Sequence, residues 1–315
     1  MSDLTLGVDL GGTNIKVGLV TAEGQVVQRH GLATQAERGA RAVARRICQA
    51  VRECMEEAGV GASSVRGLGV GSPGTIDMEN GVVLFSPNLP GWRDTPLRRL
   101  IQDDLRMPCL LDNDANVAAL AEQWVGAGRG ATSLVLLTLG TGIGGGIVLD
   151  GRIWHGANGV AGEIGHMSID PDGPPCGCGN RGCLEAHASA TAMVRRMREA
   201  IRSGVPTSLA GRADSFSAED IHQAALAGDA AARQNIELTG RYLGLGVSNI
   251  MHIINPQVIA FSGGVTAAGE MLMAPLLDEV EKRTLEASRA RVKVCFAELP
   301  HDAGIIGAAR CFMLQ

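Results

Sequence analysis

Aromatic residues are scarce, with five Phe, three Trp and one Tyr in 315 residues. That argues against a nucleic-acid platform built from exposed rings that stack bases. A basic balance is also missing: the formal net charge is −5, the wrong sign for a polyanion binder. No run of eighteen or more apolar residues occurs, so no membrane span is expected. Met1, Ser2 and Asp3 lead into an apolar stretch without a basic segment, which reads as no signal peptide and a cytoplasmic location. Disulfide scaffolding is not expected either, since a secreted scaffold is normally shorter and denser in cysteine. Cys48, Cys54, Cys109, Cys295 and Cys311 are scattered among apolar neighbours and read as small buried hydrophobes.

What the chain has in surplus is glycine: 43 of 315 residues, about twice the usual ~7%. No Gly-X-Y period is present, so collagen is excluded. The length suits about two domains at ~150 residues each, with cores large enough to need no disulfide support.

Along the chain, apolar runs at residues 5–9, 15–20, 65–70 and 109–112 read as strands. Residues 37–58, 95–105 and 113–124 read as helices, the last capped by Asn113 or Asp114. Residues 71–93 read as a long loop of a functional kind. A second half opens with strands at 133–140 and 145–149, joined by a Gly/Thr turn and followed by an Asp150-Gly151 hairpin signal. Helices are expected at 188–203, 218–226, 230–254, 269–285 and 303–313, and strands at 257–262 and 292–297. Strands alternating with helices give an α/β protein. The pattern strand, Gly/Thr turn, strand, acidic-Gly turn occurs twice, about 130 residues apart, and suggests two similar lobes. The boundary is expected near 117/118: an N-terminal lobe of residues 1–117, completed by the helix at 303–315, and a larger lobe of residues 118–302.

Four segments carry chemistry. The first holds Asp9, Gly11, Gly12, Thr13 and Lys16. Glycines after a strand let backbone N–H groups approach an oxyanion, Thr13 adds a hydroxyl, Lys16 a point charge, and Asp9 can hold a divalent cation. The Walker order is absent, and a strand rather than a helix follows. The second is the glycine-rich stretch around Thr141 and Gly142. Gly140, Gly142 and Gly145 satisfy Gly-x-Gly-x-x-Gly, as do Gly69, Gly71 and Gly74, but a dinucleotide fold needs a helix next. Residues 147–151 read as strand and turn, and Pro73 interrupts the other match, so a second phosphate-binding hairpin fits better.

The third segment joins Glu163 and His166 to Cys176, Cys178, Cys183 and Glu185. Three thiolates and one imidazole complete a closed tetrahedral zinc shell. His187 is a rival for the imidazole position, and the remaining histidines, His155 among them, read as surface or satisfied core residues. The fourth, residues 111–116, places Asp114 where a strand gives way to a helix. A carboxylate there can accept a proton from a substrate hydroxyl, with Asn113 orienting that hydroxyl; equally, Asp is a common helix cap.

Together these segments resemble the ROK family (repressor, open reading frame, sugar kinase). Asp-x-Gly-Gly-Thr-x-x-Lys stands at 9–16, Glu-x-Gly-His at 163–166, and Cys-x-Cys-Gly-x-x-Gly-Cys-x-Glu at 176–185. The resemblance runs essentially end to end. It implies an actin-like, ribonuclease H-like, two-lobed sugar kinase fold with duplicated lobes, with ATP and sugar in the cleft between them, and Mg²⁺ near Asp9. It further implies that Gly11, Gly12, Thr13 and Lys16 form one phosphate loop, Thr141 and Gly142 the other, and Gly263 and Gly264 the adenosine-contacting turn. Asp114 matches the family's general base; Gly74, Asn88, Asn113, Glu163, His166 and Glu185 match its sugar-contacting positions. His166 would face zinc with one ring nitrogen and a sugar hydroxyl with the other, making Zn²⁺ a structural support. Residues 86–92 and 111–116 look most like those of bacterial glucokinases. Kinases for N-acetylmannosamine, N-acetylglucosamine, fructose or allose share the catalytic motifs. The family's sugar-responsive repressors carry a helix-turn-helix domain, for which the first motif, at Asp9, leaves no room. The implied partners are a small sugar and ATP, with no nucleic acid and no membrane, in a homo-oligomer of two or four chains.

Overall fold

The computed structural model describes residues 4–212 and 215–315; the reading of Met1, Ser2 and Asp3 falls outside them. β1 (Leu4–Leu10), β2 (Asn14–Val20) and β3 (Val26–Ala33) form an antiparallel meander. α1 (Ala40–Glu57) starts three residues later than its apolar pattern suggests, because Gly39 at φ 82° breaks the chain there. β4 (Val65–Ser72) then pairs parallel to β1. The expected loop at 71–93 instead contains a small antiparallel sheet of β5 (Thr75–Asp77), β6 (Val82–Phe85) and β7 (Arg93–Thr95). α2 (Leu97–Leu105), β8 (Cys109–Asn113) and α3 (Asp114–Val125) follow, with β8 parallel to β4.

The second series runs β9 (Leu134–Leu139), β10 (Ile143–Leu149), β11 (Arg152–Ile153), α4 (Leu184–Ala188), α5 (Ala190–Arg202), α6 (Ala218–Leu226) and α7 (Ala230–Ile253). It continues through β12 (Val258–Ser262), α8 (Glu270–Arg283), α9 (Glu286–Arg289), β13 (Lys293–Phe296) and α10 (Ala303–Met313). The two five-stranded sheets have the orders β3-β2-β1-β4-β8 and β11-β10-β9-β12-β13. Numbered within each sheet, both read 3-2-1-4-5, so the repeated hairpin belongs to a repeated topology.

The chain divides into two compact units. One comprises the described residues up to Leu136 with Gly146–Gly162 and Ala297–Gln315; the other comprises Leu137–Gly145 and Glu163–Phe296. A boundary at 117/118 would cut α3, which continues to Val125 and packs against α10 in the first unit. Residues 118–136 and 146–162 therefore lie with the first unit.

In the first sheet, Leu4, Leu6, Val8 and Leu10 point to one face and join the core beneath α1 and α2. The alternation that period two imposes puts Gly7 on the other face, under α10. An added Cβ there would stand 1.9 Å from the Ile305 carbonyl oxygen. Gly69 of β4 meets the Ala308 carbonyl oxygen at 1.8 Å in the same way, and Gly67 meets the Phe312 ring at 2.1 Å. Gly307 of α10 faces the Val117 carbonyl oxygen of α3 at 1.7 Å. Part of the glycine surplus thus lets one helix lie directly on a sheet and against its neighbour.

Candidate active site

The turn between β1 and β2 is held open by backbone and by one buried threonine. Gly11 N–H donates to the Asn14 carbonyl at 2.9 Å. Thr34, fully buried, donates its hydroxyl to the Gly11 carbonyl at 2.7 Å and its N–H to the Thr13 carbonyl at 2.8 Å. Thr13 and Lys16 are exposed, and Lys16 is the direct cross-strand partner of Asp9. Asp9 lies against the first turn of α10, where Gly304 leaves no room for a Cβ: it would fall 2.5 Å from the Asp9 carboxyl carbon. Burial pushes the Asp9 carboxyl above its ordinary value, against the pull of Lys16. A carboxyl desolvated this way gains from a cation brought beside it, so the position fits a divalent ion. Gly12 lies on the Asn88 backbone, its missing Cβ 2.9 Å from the Asn88 carbonyl oxygen. The β1–β2 turn and the exposed Asn88 are therefore neighbours.

Asn113 is the N-cap of α3. Its Oδ1 accepts from the N–H groups of Ala115 (2.9 Å) and Asn116 (3.2 Å), as capping chemistry requires. Its Nδ2 donates to the Gly74 carbonyl at 3.0 Å. Gly74, at φ 109°, packs on Phe85 and Ser86, and only glycine fits: a Cβ would reach 2.1 Å from the Phe85 carbonyl oxygen. Asp114 follows the cap, half-buried, its Oδ1 accepting the Ala115 N–H at 2.9 Å. Gly74, Asn88, Asn113 and Asp114 thus belong to one connected surface of the first unit.

In the second unit, the Thr141-Gly142 turn rests on α4. Glu185 Oε2 accepts the Ile143 N–H at 2.8 Å, and a Cβ on Gly142 would stand 2.2 Å from the same oxygen. Thr191 ties the turn from α5 by donating its hydroxyl to the Thr141 carbonyl at 2.7 Å. Gly263, at φ 97°, presses on Leu139, with no space for a Cβ beside the Leu139 carbonyl oxygen at 2.3 Å. The structure thereby joins the 141–142 turn and the 263–264 turn at the ends of neighbouring strands β9 and β12.

His166, Cys176, Cys178 and Cys183 bring one donor atom each to within 4.8 Å of one another. Cys176 Sγ is 3.6 Å from His166 Nδ1, and Cys178 Sγ is 3.8 Å from Cys183 Sγ. Thiolate corners of a tetrahedron with ~2.3 Å bonds lie about 3.8 Å apart, so the spacing fits zinc. Burial, then the neighbouring thiols, pushes the Cys183 thiol up to about 12. A cation bound among the three sulfurs would offset this, since a metal deprotonates the thiols that ligate it. His166 Nε2 points the other way, 3.8 Å from Glu163 Oε2. Glu185 Oε1 is 3.8 Å from Cys176 Sγ, so one carboxylate touches both the cysteine cluster and the 141–143 turn.

His187 is outside the quartet. It is buried, stacked on Tyr242 with ring centroids 4.2 Å apart, and its Nε2 is 3.7 Å from Asp170 Oδ2. Two residues that the sequence did not single out lie behind the Asp114 junction: Asp112, buried at the end of β8, and His155, whose Nε2 is 2.8 Å from Asp112 Oδ2. Forty-three positions separate them, and no spacing rule links a strand end to a loop that far on.

The ROK family model matches residues 5–313. A glucokinase of Thermotoga maritima is 41% identical over 307 residues, 96% of this chain and 95% of that one. A ROK hexokinase from Thermus thermophilus superimposes with a TM-score of 0.83 at 34% identity, covering 97% of this chain and 96% of the other. A ROK family glucokinase from Streptomyces griseus, solved with glucose and AMPPNP, gives a TM-score of 0.80 at 34% identity over 98% of both chains.

Proposed function

The chain belongs to the ROK family, with that family's actin-like two-lobed fold, and we propose how its residues divide the work of an ATP-dependent glucokinase. The reaction moves the γ-phosphoryl of ATP to the 6-hydroxyl of glucose. The observation that carries the assignment of the base is the Asn113–Asp114 junction: a half-buried carboxylate, fixed at a capped helix start, beside the Gly74 turn.

Asp114 takes the proton from the attacking hydroxyl as the oxygen–phosphorus bond forms. Gly74, Asn88 and Asn113 are assigned to orienting the sugar, as are Glu163, His166 and Glu185. Gly12 and Thr13 offer N–H and hydroxyl donors to the phosphates while Gly11 shapes the turn, Lys16 adds a positive charge, and Thr141 and Gly142 give a second backbone cradle. Gly263 and Gly264 take the adenosine. Asp9 would hold Mg²⁺, which when bound supplies charge neutralisation to the β- and γ-phosphates. His166, Cys176, Cys178 and Cys183 would hold a structural Zn²⁺, which when bound fixes the orientation of the His166 ring. The chain's own contribution is positioning, which is most of what phosphoryl transfer asks of a protein.

The test is Asp114→Asn. Asparagine keeps the oxygen that accepts the Ala115 N–H and is itself a good residue for a helix start. The variant should melt like the parent and bind glucose, yet lose about 10²-fold or more in kcat, the share of a general base. A coupled ADP-release assay with glucose reads the result, and near-parental kcat would remove Asp114 from the role.

A further inference from the structure

Asp112 is 1% exposed, and four donors surround its carboxylate. Oδ1 accepts the Asn113 N–H at 2.7 Å and the Asn116 side-chain amide at 3.1 Å. Oδ2 receives His155 Nε2 at 2.8 Å and the Cys311 thiol of α10 at 3.4 Å. Burial, and then the charge of Asp112, pushes the Cys311 thiol well above its ordinary value, so it stays a protonated donor. The two residues held on Oδ1 flank Asp114 in the chain, one as the cap of α3 and the other in its first turn. The imidazole on Oδ2 comes from beyond β11 and is reached from outside: its side chain is 31% exposed. It borders a cavity of about 400 Å³ lined also by Met78, Glu79, Arg152, Cys311 and Leu314.

We propose that His155 is a positioning residue for phosphoryl transfer, acting through the buried Asp112 carboxylate on Asn113 and Asn116 and so on the placement of Asp114. A thiol is a weak donor, and a carboxylate this buried with only a thiol on one oxygen is underpaired. Without His155 the carboxylate rotates towards the cavity, and that change loosens the grip of Oδ1 on the Asn113 N–H. Asn113 is also the link to the Gly74 turn, so the disturbance reaches both the base and the sugar contact. Displacements well below 1 Å matter here, because a misplacement of about 1 Å costs on the order of 10²-fold in rate. The inference rests on Asp114 being the base.

His155→Ala and His155→Gln separate this role from simple support of the fold. The Gln amide nitrogen reaches about as far as imidazole Nε2 and keeps a donor on Asp112; Ala keeps none. In His155→Ala, kcat falls about tenfold and the KM for glucose rises at least threefold, while the KM for ATP moves by less than twofold. His155→Gln recovers at least half of the parental kcat and the parental glucose KM. Should the Ala variant fail to fold, His155→Asn replaces it, since its shorter amide stops short of Asp112 and carries the same expected loss. Parental constants in His155→Ala, equal impairment of the Gln variant, or a loss of kcat with both KM values unchanged would each overturn the proposal, the last being the mark of a smaller folded fraction. Asp114→Asn, assayed in parallel, distinguishes the two failures. If it retains turnover the base assignment falls; if it is inactive while His155→Ala behaves as the parent, only the role of His155 falls.

Discussion

Gly69→Ala tests the seating of α10 most directly. An ideal Cβ at that position stands 1.8 Å from the Ala308 carbonyl oxygen, 2.5 Å from its carbon and 3.3 Å from its Cα. All three are backbone atoms, so no side chain can turn aside. The strand cannot recede either, because Gly69 is paired to Gly7 on one side and Leu110 on the other. Ordinary non-bonded contact is about 3.5 Å or more, so α10 has to lift by roughly 1.5 Å. Gaps of ~0.5–1 Å already forfeit a quarter to a half of a contact's attraction. Ile305, Ile306, Ala308 and Ala309 are all buried along this helix and lose contact together. The expected cost is about 3 kcal/mol, at the upper end for overpacking. Urea and thermal unfolding of Gly69→Ala, beside Gly61→Ala as control, read it; Gly61 has open space where its Cβ would go. Since Gly307 presses α10 on Val117 of α3, kcat with glucose should fall as well. A Gly69→Ala protein as stable as the Gly61→Ala control would refute the close helix-on-sheet contact.

Two further outcomes follow from other parts of the molecule. Metal analysis of the purified parent should find about one zinc per chain and Cys178→Ser markedly less; equal content in the two would count against the four-donor cluster. Asp229 caps α7 through the Ala232 N–H at 3.0 Å and also accepts from Thr207 and Ser208. Burial would raise this carboxyl, but those hydrogen bonds hold it well below the ordinary aspartate value. A depressed folded value means the stabilisation is present above pH ~4 and drains away as pH falls through the folded value. Asp229→Ala should therefore melt lower than the parent at pH 7, by about 1–2 kcal/mol of stability, and the gap should narrow below pH ~4. A gap unchanged at pH 3 would contradict the linkage.

Local chemistry was readable from the chain where a residue's partners are near in sequence. The three cysteines lie within eight positions, and the His166 turn leads towards them, so the cluster needed little tertiary knowledge. The Asn113 cap is a contact with the next three residues. The small sheet at residues 75–95 was hidden because its strands are three or four residues long, and β6 exposes Leu84 and Phe85 rather than alternating. The boundary inside α3 was misplaced because an apolar period shows that a helix exists and not which neighbour it packs on; here α10 decides that. His187 had the right residue type close to the cysteines but points at Tyr242 and Asp170. Asp112 and His155 meet only through the fold, as do the glycines of β1 and β4 with a helix more than two hundred residues later.

That last pairing bears on how the protein is made. The first sheet has α1 and α2, close by in the chain, for one face, but α10, which lies on the glycines of the other face, comes more than two hundred residues after β4. While the intervening residues are still being added, α3 lies against Gly71, but Gly7, Gly67 and Gly69 have no helix upon them. Part of the first sheet therefore stays open until α10 is made, and α3, which starts at Asp114 behind its Asn113 cap, gains α10 as a neighbour only then.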